Sequence, residues 1–310
     1  MGANGVITLT KIRELDLLAP PSPKRPAYLS AASGLVCVHS LIYVVADDEL
    51  HLGVFGAADN KPGHLIRLFD GELPDSAIKR KKRKPDCEAL ALLPPHGAYP
   101  HGALLAFGSG SRPNRYRGAI LTLDSEGAVC APVQVIDLSA LLVPLIDEFF
   151  MLNIEGAVVS ADELRLFQRG NKANKENAVI RFSLSAALDA FCSETPRPIK
   201  PIDVDRFDLG QIDGVPFSFT DAAALPNGDM VFTAVAENTD NAYDDGQCAG
   251  AAIGLIDAGG IRWLRRLDQA HKIEGVAARM DGDSLKLLLV TDADDAAIPA
   301  YLLSTMIEAP

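Results

Sequence analysis

Short apolar segments recur along the chain, and pairs such as Asn-Gly, Asp-Gly and Gly-Gly separate many of them. Segments of this length joined by such turns are typical of β-hairpins. Five segments begin in the same way, with an acidic or hydroxyl residue, then small residues, then an apolar stretch. Their leading residues are Ser33, Glu88, Glu155, Asp221 and Glu274, spaced by 55, 67, 66 and 53 residues. The pattern indicates a repeated unit.

Each unit is long enough for several short strands. The unit that starts at Glu88 has apolar segments at 89–93, 103–107, 119–123 and 133–138. Four-stranded units repeated around a ring form a β-propeller, and all-β propellers close the ring to protect their edges. The last unit offers only three segments, so we expect residues 6–14 to supply its fourth strand.

We therefore predict an all-β fold, one propeller domain over residues 1–310, closed by the N-terminal strand. Its five blades start near residues 33, 88, 155, 221 and 274. Six blades is the alternative, which needs a unit that the sequence does not display. Helix is predicted only at 139–150 and 184–191.

The amino-acid composition argues against two classes of binding partner, nucleic acids and membranes. The chain has 29 Lys and Arg against 41 Asp and Glu, a formal net charge of −12. This argues against a general nucleic-acid binder, which needs a basic face. No apolar run approaches the ~18 residues of a membrane span, so no membrane partner is expected. Five widely spaced cysteines predict reduced, mostly buried thiols in a cytoplasmic protein.

The five leading residues suggest a metal site. The first strand of each blade lines the channel of a propeller, so Ser33, Glu88, Glu155, Asp221 and Glu274 are expected to face one another. Four carboxylates at close range repel, and a bound cation relieves the repulsion. A set of oxygen ligands favours Ca²⁺ over Mg²⁺.

Two alternatives stay open for these residues. In one, the carboxylates accept backbone N–H groups of a neighbouring blade and hold no ion. In the other, Thr220 replaces Asp221 as the ligand from the fourth blade.

Polar residues also follow the second predicted strand of each unit, and these loops are expected to open on one face of the ring. Asp47 and Asp48 are candidates for activating water. Arginines bind phosphate or carboxylate through two parallel hydrogen bonds. The candidate substrate-binding residues are Arg112, Arg115, Arg169, Asn171, Glu237 and Asp292. A run of six bases at 79–84 is interpreted as a solvated loop.

Several blade starts resemble those of calcium-activated nucleotidases (apyrases). The segments that carry the resemblance are Lys-Ile-Glu-Gly-Val at 272–276, Ser-Gly-Leu-Val at 33–36 and Phe-Ser-Phe at 217–219. The resemblance implies a five-bladed propeller with Ca²⁺ on its axis, held by glutamates and serines of the inner strands. Asp-Cys-Glu-Ala at 86–89 and Gly-Ser-Gly-Ser at 108–111 are similar to phytase-like esterase propellers. The whole chain resembles an uncharacterised bacterial family of such propellers.

Together these features predict a metal-dependent hydrolase that acts on a phosphorylated or other anionic small molecule. The chain is expected to be a monomer or a weak homo-oligomer. The alternative is a propeller that binds a ligand or a protein without catalysis, with an ion that is only structural.

Overall fold

The protein is a five-bladed β-propeller in the computed structural model, which describes residues 5–239 and 246–308. The predicted all-β fold, its five blades and its closure by the N-terminal strand are confirmed. The first strands of adjacent blades contact one another around the ring, so they line the central channel.

Each blade is an antiparallel sheet whose strands follow one another from the channel outwards. Blade I contains β2 (Ala32–Val38), β3 (Leu41–Ala46), β4 (His51–Gly56) and β5 (His64–Arg67). Blade II contains β6 (Cys87–Leu93), β7 (Ala103–Gly108), β8 (Arg117–Thr122) and β9 (Gln134–Asp137). Blade III contains β10 (Ile154–Ser160), β11 (Glu163–Gln168), β12 (Asn177–Ser183) and β13 (Asp203–Phe207).

The last two blades depart from this plan. Blade IV contains β15 (Val215–Ala224), β16 (Met230–Asn238), β17 (Gln247–Asp257) and β18 (Gly260–Arg266), with a two-residue strand β14 (Gln211–Ile212) beside β15. Blade V contains β19 (Ile273–Asp281), β20 (Ser284–Thr291) and β21 (Tyr301–Glu308), completed by β1 (Thr10–Glu14).

The N-terminal segment contacts three consecutive blades. Ile7 donates its N–H to Arg266 O at 2.9 Å, at the end of blade IV. Strand β1 then pairs with β21, with Thr10 opposite Ser304. Leu18 donates its N–H to Gly63 O of blade I at 2.7 Å. The segment therefore completes one blade and joins it to both neighbours.

The core consists of five apolar clusters, one between each pair of adjacent blades. Burial between blades is the main apolar stabilisation of the ring. Close to the axis, two glycines of the first strands allow an approach too close for a Cβ. A Cβ on Gly34 would lie 2.7 Å from Leu90 N, and one on Gly275 would lie 2.6 Å from Ser33 O.

Three α-helices lie in the described residues. The two predicted helices are confirmed as α2 (Ser139–Ile146) and α3 (Leu184–Phe191). The third, α1 (Ala77–Arg83), contains most of the basic run that was interpreted as a solvated loop. The loop interpretation is wrong because buried carboxylates hold Arg80 and Lys84, which are 5% and 7% exposed.

All five cysteines are free thiols. Only Cys87 is buried, whereas Cys130 and Cys192 are exposed, so the expectation of mostly buried thiols is wrong. No helix in the described part of the chain has both the length and the apolar character that a membrane crossing requires.

Candidate functional site

A register shift interrupts the pairing of the first two strands at the same place in every blade. In blade II, Cys87 pairs with Gly108 and Ala89 with Phe107, which leaves Glu88 without a partner. Such bulges redirect a side chain and are frequent next to active sites. The residues at this position are Ser33, Glu88, Glu155, Thr220 and Glu274. We call them the bulge ring.

The bulge ring contains four of the five predicted metal ligands, and in blade IV it contains Thr220 in place of Asp221. Asp221 pairs with Thr233 in the sheet and is fully buried. Its Oδ2 accepts the Val276 N–H of blade V at 2.8 Å. This is the interblade role that the sequence left open as an alternative for these carboxylates. Thr220 Oγ1 donates to Ile273 O at 2.7 Å.

A cavity lies on the axis above the bulge ring. Its empty volume is about 750 Å³ when the open solvent at its mouth is included. Ser33, Glu88, Glu155 and Glu274 all line it, and Asp221 does not. The wall is strongly charged. The acidic lining residues that the structure describes are Asp47, Asp86, Glu88, Glu155, Glu237, Glu274, Asp292 and Asp294. The basic ones are Lys81, Lys84, Arg115, Arg169 and Lys272.

Four residues of the cavity wall occupy a second set of equivalent positions, two residues before each bulge. The position is filled by Ala31, Asp86, Asn153, Ser218 and Lys272. In four blades its carbonyl accepts the N–H of the residue after the second strand, and those four residues are Asp47, Ser109, Arg169 and Asp292.

Arg169 neutralises most of the carboxylates on one side of the cavity. Its Nη1 donates to Glu155 Oε2 at 3.1 Å and lies 3.8 Å from Glu274 Oε2. Its Nη2 donates to Glu237 Oε2 at 2.5 Å. Lys272 Nζ lies 3.5 Å from Glu274 Oε1 and 3.7 Å from Glu237 Oε1. We call these five residues the Arg169 cluster.

Glu155 is fully satisfied within the Arg169 cluster. Besides the Arg169 bond, its Oε1 accepts Asn153 Nδ2 at 2.5 Å. Burial raises the pKa of Glu155, and the Arg169 guanidinium opposes that rise. Burial also raises the pKa of Glu274 to about 8, against the opposing charges of Lys272 and Arg169.

The opposite side of the cavity has a different balance. Oxygens of Asp47, Asp86 and Glu88 lie within 4.8 Å of one another. Lys84 Nζ lies 2.8 Å from Asp86 Oδ1 and also contacts Asp47 Oδ2. Arg115 Nη1 lies 2.5 Å from Asp86 Oδ2. We call these five residues the acidic cluster.

Glu88 makes no hydrogen bond or ion pair with any residue that the structure describes. Desolvation in the cavity, followed by the charges of Asp86, Glu155 and Asp47, raises its pKa well above the usual range. The pKa of Asp86 is lowered, because Lys84 and Arg115 outweigh the effect of burial. Two carboxylates two residues apart therefore have opposite tendencies, a pattern frequent at functional sites.

The backbone at the acidic cluster is strained. Asp86 has φ of +58°, a left-handed conformation that residues with a Cβ adopt at a free-energy cost. Asp294, on the cavity wall in blade V, has φ of +54°. Ser109 Oγ donates to Asp86 Oδ2 at 2.5 Å and helps to hold Asp86 in place.

The predicted catalytic pair is divided between two environments. Asp47 lines the cavity, and burial followed by the Asp48 and Asp86 charges raises its pKa against the opposing Lys84. Asp48 lies outside the cavity lining, where its Oδ2 pairs with Arg25 Nη2 at 2.8 Å and Arg80 Nε at 3.1 Å. These contacts give Asp48 a role in anchoring helix α1.

The predicted substrate-binding residues are mostly on the cavity wall. Arg115, Arg169, Asn171, Glu237 and Asp292 line it, and Arg112 does not. Burial raises the pKa of Asp292 to about 8, with Lys272 opposing. Asn171 uses Oδ1 to accept the N–H groups of Ala173 and Asn174, at 3.0 Å and 2.8 Å, so this oxygen shapes its own loop.

Three important residues were missed from the sequence: Asp86, Lys84 and Lys272. Asp86 and Lys272 both precede predicted ligands by two residues, so the repeated spacing of polar residues at the blade starts is a signal that identifies them. Lys84 has no such signal, because its position depends on how helix α1 packs.

The acidic cluster fits a hard divalent cation by the chemistry of its donors. Three carboxylates supply oxygen ligands of the kind that Ca²⁺ takes in proteins. The Arg169 cluster fits an ion less well, because Arg169 and Lys272 contact all three of its carboxylates, whereas Glu88 in the acidic cluster has no such contact among the described residues. Of the predicted axial Ca²⁺ ligands, Glu88 lies in the acidic cluster, Glu155 and Glu274 lie in the Arg169 cluster, and Ser33 and Asp221 lie in neither.

Comparison with known proteins supports the fold. A family described as a family of unknown function, DUF6929, matches residues 28–307. A candidate glycoside hydrolase from Parabacteroides distasonis is similar, with 11% identity, a TM-score of 0.50 and 97% of each chain covered. A luciferin-regenerating enzyme has 10% identity and a TM-score of 0.47, covering 91% of this chain and 94% of its own.

At such identities the likeness shows the propeller fold alone. Among curated protein sequences none matches this chain. The expected resemblance to apyrases and phytase-like esterases receives no specific support from these comparisons.

Proposed function

The chain belongs to the DUF6929 family, whose function is unknown, and we propose that it is a metal-dependent hydrolase of a phosphorylated or other anionic small molecule. The observation that carries the proposal is the state of Glu88. It faces the cavity beside Asp47 and Asp86, and its side chain makes no ion pair or hydrogen bond with a described residue. A divalent cation at the acidic cluster supplies that partner.

We propose Ca²⁺ as the ion, held by Asp47, Asp86 and Glu88, with Mg²⁺ the weaker fit. Ca²⁺ accepts carboxylate oxygens in irregular geometry, whereas Mg²⁺ demands a nearly ideal octahedron and gives up its water reluctantly. Of these three residues, the sequence predicted Glu88 as a metal ligand and Asp47 as a residue that activates water, and we add Asp86 because its carboxylate lies beside theirs. Ser33, Glu155, Asp221 and Glu274 are not needed for this ion.

The substrate class follows from the basic residues on the same wall. Arg115 Nη1 also donates to Ser111 Oγ at 2.7 Å, so its guanidinium is fixed beside the acidic cluster. Lys81 lines the cavity next to it. An anionic group bound between an ion and fixed cations is polarised for attack by water, which is the chemistry that a bound divalent ion supplies. Nucleotidase-like and phytase-like activities both belong to this class.

The test compares one substitution at two equivalent positions. We expect Ca²⁺ to raise the melting temperature of the wild type and of Glu155→Gln, and to have no effect on Glu88→Gln. Ion binding to the folded state alone stabilises by about 2.7 kcal/mol at a hundredfold excess over Kd. The reverse result, with the response lost in Glu155→Gln and kept in Glu88→Gln, would favour an ion on the axis.

Activity is measured on a panel of phosphate monoesters and carboxylic esters, with Ca²⁺ or with a chelator. We expect calcium-dependent turnover that Asp47→Asn and Glu88→Gln abolish. Calcium binding with no turnover across the panel would support the non-catalytic propeller. The Arg169 cluster favours that second function, because its carboxylates already have basic partners and require no ligand.

A further inference from the structure

Lys84 occupies the place where a cation would bind the acidic cluster. Its Nζ contacts both Asp47 Oδ2 and Asp86 Oδ1, and the residue is 7% exposed. Because these oxygens lie within 4.8 Å of each other and of a Glu88 oxygen, little room remains between them for a second cation. A metal ion and the ammonium therefore compete for the same oxygens.

Charge balance points in the same direction. When all three carboxylates are ionised, as metal binding requires, the acidic cluster has one negative charge more than Lys84 and Arg115 compensate. A divalent ion added to the cluster would leave one positive charge in excess. A divalent ion that replaces Lys84 makes the cluster neutral, which is the arrangement that burial favours.

Lys84 is attached to an element that is able to move without unfolding a blade. It directly follows helix α1, and its N–H donates to Arg80 O at 2.8 Å. Arg80 holds the other side of the helix through Asp48 Oδ2 at 3.1 Å and Asp75 O at 2.9 Å. Asn114 Nδ2 also donates to Lys84 O at 3.3 Å and Arg115 Nη2 to Lys81 O at 3.2 Å. Release of the Lys84 ammonium would therefore loosen the C-terminal end of α1, while these bonds and Arg80 keep the helix attached.

We propose that Lys84 is an internal cation that Ca²⁺ displaces, so that ion binding at the acidic cluster releases the Lys84 ammonium and loosens the end of helix α1. The inference rests on the proposed function, because it concerns the same ion site. It adds that the site is neutralised by the protein itself when Ca²⁺ is scarce. It also adds that the freed ammonium becomes available to an anionic substrate in the cavity.

Calorimetric titration of the full chain with CaCl₂ tests whether Ca²⁺ displaces Lys84. Without Lys84 the ion has no competitor, so we expect Lys84→Met to bind Ca²⁺ at least about tenfold more tightly than the wild type, within the usual range of coupling between two ligands. Lys82→Met is the matched control, since Lys82 is an exposed base of the same helix. Its affinity is expected to equal that of the wild type.

Hydrogen exchange on the wild type gives a second measurement that does not depend on the variant folding. We expect Ca²⁺ to speed exchange of the Lys84 amide, because release of the side chain weakens its bond to Arg80 O. Unchanged or slower hydrogen exchange at the Lys84 amide in the calcium-bound protein would contradict the displacement of Lys84 by Ca²⁺.

The two proposals fail in different ways. If neither the wild type nor Lys84→Met binds Ca²⁺, the ion site itself is wrong. If the wild type binds Ca²⁺ and Lys84→Met binds it equally or more weakly, the ion site stands and the displacement of Lys84 is wrong.

Discussion

Glu88 and Glu155 occupy the same bulge position in neighbouring blades, yet their surroundings differ at only two equivalent places. Glu155 has Asn153 two residues before it and Arg169 after the opposite strand, and both bind it. Glu88 has Asp86 and Ser109 at those places, and Ser109 bonds to Asp86. The repeat therefore produces one satisfied carboxylate and one uncompensated carboxylate from the same backbone.

This difference gives the two carboxylates different roles, Glu155 in the stability of the fold and Glu88 in binding or chemistry. A carboxylate with two hydrogen-bonding partners is fixed and contributes to the native state. A carboxylate beside another carboxylate, on a cavity wall, is unfavourable for stability and is available to an ion, a proton or a substrate. Four substitutions test this comparison, and their expected effects on the free energy of unfolding decrease from Arg169 to Glu88.

Arg169→Met should have the largest effect. It leaves Glu155, Glu237 and Glu274 with one basic partner fewer in a buried site, and breaking one side of a buried ion pair lowers stability by about 3–5 kcal/mol. Urea unfolding at pH 7 measures the loss. A change below about 1 kcal/mol would mean that the Arg169 cluster does not hold the blades together.

Glu274→Gln should have the next largest effect, which is a change in how the free energy of unfolding depends on pH. Because burial raises its pKa from 4.5 to about 8, the folded state holds this proton more tightly than the unfolded state. The resulting stabilisation is complete below the unfolded pKa and is lost as pH rises through about 8. Between pH 6 and pH 8 we expect Glu274→Gln to remove a decline of about 2–3 kcal/mol. Parallel slopes for wild type and variant would contradict the shift.

Asn153→Asp gives blade III the residue that blade II has. The change removes the hydrogen bond to Glu155 and puts a second carboxylate beside it, so we expect a loss of about 1–2 kcal/mol at pH 7. The loss should diminish at pH 5, where one of the two carboxyl groups is protonated. A loss that is the same at both pH values would show a steric cause.

Glu88→Gln should have the smallest effect on stability, within about 0.5 kcal/mol or slightly stabilising without calcium, because no partner is lost. Chemical denaturation in the presence of a chelator measures it. A loss as large as that of Asn153→Asp would reveal a partner for Glu88 and weaken the comparison.

The sequence predicts the ring of blades because each repeat is marked by a short pattern of neighbouring residues. Leading residues, small neighbours and turns recur in each unit, so the inner strands and three bulge glutamates follow directly. Asp221 is the exception: it holds the position that Gly34, Gly156 and Gly275 hold in other blades, one residue after the bulge. A match by residue type alone places it one position out of register.

The partners of the site residues are harder to predict, because they depend on contacts between blades and loops. Arg169 of blade III reaches Glu237 of blade IV and Glu274 of blade V, residues that meet only when the ring closes. The basic run 79–84 has no apolar periodicity, and only the buried carboxylates beneath it determine which bases turn inwards.

The closure of blade V has a consequence for the order of biosynthesis. Thr10 of β1 pairs with Ser304 of β21, so β1 is made long before the strand that pairs with it. A chain emerging from the ribosome is able to build blades I to IV in turn, since N-terminal parts fold first. Until β21 is made, β1 lacks its partner strand, and the face of blade I that packs on blade V stays exposed to other nascent chains. Synthesis of β21 is therefore the step that protects these surfaces from contact with neighbouring nascent chains.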